Sequence, residues 1–486
     1  MRAAEERLFD AELAEVLGVS VEAVAEPGAG RGSPRRLWLA AAVALFGLAI
    51  TFAVAFASAA ADRVEAQDPE SLEPPQPLPI LFWQSGSAPP AVATQSLMFQ
   101  LGDGDLSPLS RYERLQNLRV FAVKPGRACR AGFFAPLVPL AQLEVLRVVV
   151  PAAMGTEVLR ELRGLEHLRF LSLDLQRPLT VADVAALGEI HGLVSLGLEA
   201  QNLGAGDLGA VAVDAAAMRA LSDLSHLQAL RLERLPGCTA ATLRELRGAH
   251  GLRRLILVGF GTQPVATEFG WQPAEDSAGF TADIARALAE LPLLEDVWLE
   301  ACAVTPAALQ ALPVGLRAFG LTGCPDADAE VVRAIARFGE LELLRLDRAQ
   351  DLNDQLGRPR AADAEPPRDL PDQRAVARAQ AELVRDLPIR ELRSDYGLHE
   401  EVAAALADAG QLAVVELIRS GATDVSAVAA VPALTRLTLN QCRVHADDLA
   451  PLRPAKALRE LRMVYCNADR AAVTSLLPGV AVTFDL

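Results

Sequence analysis

The cysteines of this sequence are the residues whose spacing comes nearest to one that could support chemistry, namely disulfide formation. Cys302 and Cys324 occupy adjacent copies of a repeated pattern, and so do Cys442 and Cys466. Neighbouring copies lie about one strand spacing apart, which is near the Cα separation that a disulfide needs. Buried cysteines nevertheless behave as small apolar residues. We therefore expect free thiols at these four positions.

Histidines form a second group that could bind a metal. His167, His191, His226 and His250 each lie just before a predicted strand, in four successive repeats. Two of them are one residue out of phase with the others, and no Asp or Cys shares their positions. His399 has no second histidine four residues later. Since nothing matches known ligand spacing, we predict no metal site here.

The remaining sequence offers no catalytic motif. Asp103, Asp105 and Ser107 follow the first spacing of a calcium loop, but Pro108 replaces its glycine and Arg114 its terminal glutamate. His-Glu-x-x-His, Gly-x-Ser-x-Gly and Walker sequences are absent from the sequence. We therefore predict a protein that is not an enzyme and needs no cofactor.

A leucine repeat defines the elements that would position any site. The pattern L-x-x-L-x-L recurs thirteen times, and the steps between copies are 25, 25, 25, 34, 25, 42, 22, 25, 48, 23, 22 and 24 residues. Its second leucine or substitute falls at Phe121, Leu146, Leu171, Leu196, Leu230, Leu255, Val297, Phe319, Leu344, Leu392, Val415, Leu437 and Leu461. A period in the twenties with this leucine spacing is typical of a solenoid.

One repeat shows how each unit folds. Leu171-Ser172-Leu173 alternates with period two and predicts a strand with one buried face. Thr180 then opens an apolar run at helical spacing, with Asp183 three residues later as in a capping box. Threonines open such runs at Thr156, Thr180, Thr239, Thr281 and Thr305. Each unit must stack on its neighbours to bury its apolar face.

Residues 106 to 486 resemble the leucine-rich repeat family, and more closely its variants with cysteine after the strand. The four cysteines named above stand at this ladder position, whereas Gln176, Gln201, Leu235, Phe260, Ala349 and Ser420 replace them elsewhere. The resemblance implies an α/β solenoid with a concave parallel sheet and convex helices. In the family the ladder residue satisfies backbone groups in the turn, so the apolar substitutes predict irregular turns.

Three long steps predict insertions near residues 203–217, 259–280 and 348–372. Each leaves directly after a strand, so all three emerge on one rim, and insertions on one face often mark a binding face. The middle insertion holds Phe260, Phe269 and Trp271. The third is rich in proline and aspartate, and we interpret it as a tolerated lengthening of a loop and not as a binding element.

The open face of the predicted sheet carries an arginine column beside an acidic column. Its central residues are Arg231, Glu233, Ile256, Val258, Trp298, Glu300, Arg345 and Asp347. Two interpretations stay open, namely mutual neutralisation across a solvated sheet and a surface that recognises a charged partner. Trp298 beside apolar neighbours is typical of a binding hot spot, unless the aromatics of the middle insertion cover it. We predict that this group, with Phe260, Phe269 and Trp271, binds a protein or peptide.

Residues 37–61 carry no charge and are long enough to span a bilayer. Arginines precede this run and acidic residues follow it, so residues 1–36 would be cytoplasmic and the repeats periplasmic or extracellular. Residues 62–105 form an acidic, proline-rich linker and cap in this prediction. A cleaved signal peptide ending near Ala57-Ser58-Ala59 is the alternative.

The charge balance bears on the class of partner. The net charge is −16, which argues against nucleic acid. Lys124 and Lys456 are the only lysines, and arginine dominates instead, which suggests a GC-rich, bacterial genome. We therefore predict a membrane-anchored recognition protein. A sensor that relays binding to a cytoplasmic helix at 8–24 is the alternative, as is a secreted repeat protein.

Overall fold

The computed structural model describes a defined part of the chain, all of it inside the compact unit Arg63–Leu486. It covers residues 81–84, 96–100, 106, 118–124, 129–200, 213–235, 237–260, 264–267, 270–273, 279–347, 372–395, 402–419 and 421–485. No helix within these ranges is long and apolar enough to cross a membrane. The predicted anchor at 37–61 and the segment 1–36 lie outside the described residues.

The described chain is built on one parallel sheet of sixteen strands that follow each other in chain order. The strands are β1 (Leu81–Gln84), β2 (Ser96–Gln100), β3 (Val120–Lys124), β4 (Val145–Val150), β5 (Phe170–Leu175), β6 (Ser195–Ala200), β7 (Ala229–Glu233), β8 (Arg254–Val258), β11 (Asp296–Glu300), β12 (Ala318–Thr322), β13 (Leu343–Asp347), β14 (Glu391–Ser394), β15 (Val414–Ile418), β16 (Arg436–Asn440), β17 (Glu460–Val464) and β18 (Ala481–Asp485). A separate antiparallel hairpin joins β9 (Pro264–Thr267) to β10 (Gly270–Pro273). The predicted α/β solenoid with a parallel sheet is therefore confirmed.

All thirteen predicted repeat positions, from Phe121 to Leu461, lie within strands of this sheet. In β5, Leu171 and Leu173 are buried while Ser172 between them is partly exposed, as period-two alternation requires. β1, β2 and β18 were not predicted from the sequence because none of them carries the leucine pattern. β1 and β2 fall inside residues 62–105, the stretch that we assigned to the linker and cap.

Short helices line the return path of most repeats. They are α1 (Thr156–Arg160), α2 (Val181–Gly188), α3 (Ala215–Ser222), α4 (Ala240–Arg244), α5 (Ala282–Ala289), α6 (Pro306–Leu309), α7 (Ala329–Ala334), α8 (Gln373–Asp386), α9 (Ala403–Ala407), α10 (Ala422–Val428) and α11 (Arg470–Leu476). Helices this short are not stable alone. Their buried residues join the strand leucines in one continuous core that extends from repeat to repeat.

Four of the five predicted threonine helix starts are confirmed. Thr180, Thr239, Thr281 and Thr305 are N-caps whose side chains accept a backbone N–H three residues later. Thr156 is instead the first residue of α1, and its hydroxyl donates to Asp183 at 2.7 Å. That bond joins two neighbouring repeats.

A left-handed residue directly follows several of the described strands. Arg234, Ala301, Arg419, Gln441 and Tyr465 have φ between 50° and 54° at this position. The left-handed conformation is energetically unfavourable for residues that carry a Cβ. The amide of Ala301 donates to the carbonyl of Thr322 at 2.7 Å, and the amides of Arg234, Arg419 and Gln441 make the same bond to the next strand. The regular bonding between repeats therefore stabilises a conformation that the side chains oppose.

The ladder cysteines bond to the sheet from inside. The thiols of Cys302, Cys324, Cys442 and Cys466 donate to strand carbonyls of the preceding repeat at 3.2 to 3.5 Å. All six cysteines are free thiols in this structure. The thiols thus link neighbouring repeats through strand carbonyls, with a weaker donor than an amide.

The insertions leave from the carboxyl ends of β6, β8 and β13, so they start on the same rim of the sheet. Most of the first and nearly all of the third lie outside the described residues. The middle insertion contains the β9–β10 hairpin. It returns to the solenoid at Phe280, whose amide donates to the carbonyl of Ala303 at 2.7 Å.

Candidate functional site on the open face of the sheet

The strand register brings the predicted open-face residues into one row. Arg231 on β7 pairs with Ile256 on β8, which pairs with Trp298 on β11. The row continues through Gly320 on β12 to Arg345 on β13. These side chains point away from the leucine core because their neighbours on both sides along each strand are buried.

Trp298 leans along this row across its neighbouring strand. A Cβ added at Gly320 would lie 2.8 Å from Cζ3 of the indole and closer still to Cε3. Beyond Gly320, the guanidinium of Arg345 lies 5.7 Å from the centre of the ring. This distance is within the range of a cation–π interaction. Three strands thus build one stacked unit, in which Gly320 leaves the space that Trp298 fills.

The indole is only partly enclosed. Trp298 is half-buried, yet its Nε1 atom is buried and finds no acceptor among the described residues. A tryptophan N–H usually has a hydrogen-bond partner when it is buried. The ring therefore combines an accessible apolar part with an unused donor.

Arginines and acids pair along the first half of the face. Arg147 lies 2.5 Å from Glu199, and Arg231 lies 3.0 Å from Glu233 and 2.8 Å from Glu300. Burial raises the pKa of Glu233, but Arg231 and Arg234 outweigh it and hold that pKa well below its ordinary value. Glu199, Glu233 and Glu300 of this half therefore each lie against an arginine of the chain.

The second half of the face is paired in the same way. Arg345 lies 2.6 Å from Asp347, and Arg393 lies 3.9 Å from Asp347 and 3.2 Å from Glu416. Mutual neutralisation of the two columns, one of the two interpretations of the sequence, therefore describes these residues. Recognition of a partner through free charges loses support accordingly.

Burial divides the predicted site residues into two groups. Val258, Glu300, Arg345 and Asp347 are between 5 and 8% exposed. They support their neighbours and present little surface of their own. Half-buried side chains remain at Arg231, Glu233, Ile256 and Trp298. The part of the site that a partner can reach thus lies on β7, β8 and β11.

The insertion aromatics separate as well. Phe260 is 5% exposed and belongs to the core, so its prediction as a partner contact is corrected. It occupies the ladder position, which points inward in this fold. Trp271 lies in β10 of the hairpin, and Phe269 lies outside the described residues.

Two features of the face escaped the sequence analysis. Gly320 could have been found from the sequence, because it occupies the outward-facing strand position that Trp298 occupies in the preceding repeat. Arg234 and Arg419 reach Glu199 and Asp395 from left-handed turns, at 3.4 and 2.6 Å. No sequence pattern predicts that conformation for arginine. Within the described residues, no cluster of three or more potential ligands could hold a metal ion.

Comparison with known proteins gives structural likenesses alone. No family model matches the chain, and no curated protein matches it. An internalin of Listeria monocytogenes is 15% identical over 76% of this chain and 88% of its own, with a TM-score of 0.34. A leucine-rich repeat protein of Leptospira interrogans is 15% identical over 76% of this chain and 90% of its own, with a TM-score of 0.26.

A third solved structure is TLR13 in complex with single-stranded RNA. It is 13% identical over 81% of this chain and 53% of its own length, with a TM-score of 0.39. At such TM-scores these likenesses carry no argument about function. The fold is assigned from the strand pairing and core of the chain itself.

Proposed function

We propose that this protein is a non-enzymatic recognition module that binds a protein or peptide through its concave face. The observation that carries the proposal is Trp298, a half-buried aromatic with an unused N–H on a face whose charges are otherwise matched. Ile256 lies beside it, and the Arg231–Glu233 pair lies on the next strand beyond Ile256. A central aromatic ringed by polar groups is the usual composition of an interface hot spot.

A protein suits this surface better than a nucleic acid does. Binding to nucleic acid rests on arginines and lysines that are free to neutralise phosphates. Four arginines of the described open face instead lie against carboxylates of the chain, namely Arg147, Arg231, Arg345 and Arg393. A peptide can pack against the accessible part of the Trp298 ring without breaking these pairs.

The proposal is tested by measuring how much of a partner protein each variant captures from extracytoplasmic extract. Tagged full-length protein in detergent is compared with Trp298→Ala and with Tyr465→Ala, a matched control that removes an exposed aromatic from a different repeat. Loss of a central aromatic costs about 2 kcal/mol, which is roughly a 30-fold weaker affinity. A partner retained by Tyr465→Ala and lost by Trp298→Ala supports the site. Equal retention by both variants contradicts it.

Membrane anchoring with the repeats outside belongs to the same proposal. Its support is the uncharged run at 37–61 and the charge difference between its flanks. Protease added to intact spheroplasts should digest the repeats and spare a short N-terminal fragment. A soluble mature form that begins near Ala60 would contradict the anchor and favour the secreted alternative.

A further inference from the structure

Cys442 and Cys466 occupy equivalent positions on neighbouring strands. The register pairs Asn440 with Val464, and each cysteine follows two residues later. Neighbouring strands lie about 4.8 Å apart, within the range of Cα separations that disulfides span. The two thiols are therefore already neighbours before any reaction.

The environment of Cys466 favours its thiolate. Its pKa is lowered below the ordinary value, chiefly by the neighbouring Cys442 thiol, while burial acts in the opposite direction. Cys466 retains 7% exposure, and the adjoining Tyr465 is 61% exposed. The thiolate is the form that attacks disulfides. A reactive sulfur thus lies just below the rim.

Cys302 and Cys324 provide an internal contrast in the same register. They follow β11 and β12, two residues beyond the pair Glu300 and Thr322. Both are at most 1% exposed. Burial raises the pKa of Cys302 to about 12 and raises that of Cys324 as well. Spacing is therefore similar in the two pairs, and what distinguishes them is the exposure and the lowered pKa of Cys466.

We propose that Cys442 and Cys466 form a reversible disulfide site that reacts with small-molecule disulfides, and that Cys302 and Cys324 stay reduced. The proposal goes beyond partner recognition and rests on neither the concave site nor the membrane anchor. Its substrates are the two thiols and an external disulfide of the glutathione type.

The reaction proceeds by two thiol–disulfide exchanges. The thiolate of Cys466 attacks one sulfur of the external disulfide, forms a mixed disulfide and releases one small thiolate. Cys442 then loses its proton to solvent and attacks the Cys466 sulfur, which releases the second small thiolate. Two protein thiols are oxidised and one external disulfide is reduced to two thiols. The product crosslinks two adjacent repeats and closes the loop between them, which restricts the unfolded chain.

Differential alkylation of the folded full-length protein in detergent tests this site. The protein is equilibrated at pH 8 with mixtures of reduced and oxidised glutathione, quenched with acid, alkylated in denaturant and digested. Mass spectrometry should find a Cys442–Cys466 crosslinked peptide in oxidising mixtures, with Cys302 and Cys324 alkylated throughout. Adding reductant should reverse the crosslink. A folded protein without the crosslink, or with equal oxidation of both pairs, would overturn the proposal.

Single variants test the order of attack. Cys442→Ser should trap Cys466 as a mixed disulfide with glutathione, whereas Cys466→Ser should leave Cys442 unmodified. Cys324→Ser is the matched control and should leave the Cys442–Cys466 crosslink unchanged. Far-UV circular dichroism verifies that each variant is folded. Glutathione found mainly on Cys442 in the Cys466→Ser variant would show that Cys466 is not the nucleophile.

Discussion

The guanidinium of Arg345 lies 5.7 Å from the centre of the Trp298 ring, although one strand separates the two residues in the sheet. The contact exists because Gly320, on the strand between them, has no side chain to lift the indole. Arg345 is in turn held by Asp347 at 2.6 Å. The orientation of Trp298 therefore depends on a glycine and an ion pair in the next two repeats.

Gly320→Ala should displace the indole and disturb this stack. The new Cβ would overlap the ring at 2.8 Å or less, and overpacking of this kind costs about 1 to 3 kcal/mol. The near-UV circular dichroism spectrum of Gly320→Ala should lose the same part of the signal that Trp298→Phe removes. Urea unfolding of Gly320→Ala should show the loss of stability.

Gly197→Ala is the matched control for this change. Gly197 occupies the same outward column on β6, and a Cβ there would meet Ser172 Oγ at 3.3 Å, a contact that a serine rotamer can relieve. Its near-UV spectrum should resemble that of the wild type. Equal spectral changes in the two variants would mean that Gly320 does not set the position of Trp298.

Trp298→Ala should cost much less stability than a core truncation of similar chemistry. Trp298 is half-buried on the open face. Phe319, which precedes Gly320 on the adjacent strand β12, is fully buried. Phe319→Ala should cost about 3 to 5 kcal/mol of unfolding free energy. Urea unfolding of both variants provides the measurement. A loss for Trp298→Ala as large as that for Phe319→Ala would show that the indole is part of the core and would remove it as a hot spot.

The repeat could be predicted because its period is set by burial. Leu171 and Leu173 recur in each unit since every strand must present the same face to the same core, and that requirement is visible residue by residue. The outward column could be predicted for the same reason, because Trp298 lies between two buried neighbours. Phe260 was misassigned because its aromatic character outweighed its ladder position, which the same period predicts to be inward.

The contacts within the face could not be predicted from the sequence. The link from Arg231 to Glu300 crosses β8, and that of Arg234 to Glu199 requires a left-handed arginine. Both depend on how far side chains reach across neighbouring strands, which spacing along the chain does not encode. β1 and β2 were missed because strands near one end of a solenoid lack the leucine pattern of the middle.

Asp183 should make stability depend on pH in the acid range. Its carboxylate is buried and accepts bonds from Arg177, Thr156 and the Thr180 amide. Burial opposes ionisation, but these bonds prevail and lower its pKa from 3.8 to about 2. The stabilisation, about 2 kcal/mol, is therefore complete above pH 4 and is lost as pH falls towards 2.

Urea unfolding of wild type and Asp183→Asn from pH 7 to pH 2 measures this contribution. The difference between the two proteins should shrink between pH 4 and pH 2. Asp283→Asn is the control, because its pair with Arg286 is exposed and should contribute little at any pH. A difference that stays constant down to pH 2 would contradict the role of the Asp183 charge.

Ser394 and Gln380 form a polar pair inside the core. Ser394 stands in β14 where other repeats place the last strand leucine, and its hydroxyl donates to Gln380 Oε1 of α8 at 3.0 Å. Both residues are fully buried, and Gln380 Nε2 has no partner among the described residues. A buried polar group that loses its partner costs about 1 to 3 kcal/mol, whereas replacing both partners by apolar groups can be neutral or stabilising. Ser394→Ala alone should therefore destabilise the protein.

Gln380→Leu combined with Ser394→Ala should recover that loss, because no polar atom of the pair remains in the core. A double-mutant cycle measured by urea unfolding gives the coupling between the two residues. Ser222→Ala is the control, since its hydroxyl donates to the Arg219 carbonyl within its own helix and has no side-chain partner to leave behind. Additive effects of the two core changes would show that the Ser394–Gln380 bond contributes nothing to the joining of α8 to the sheet.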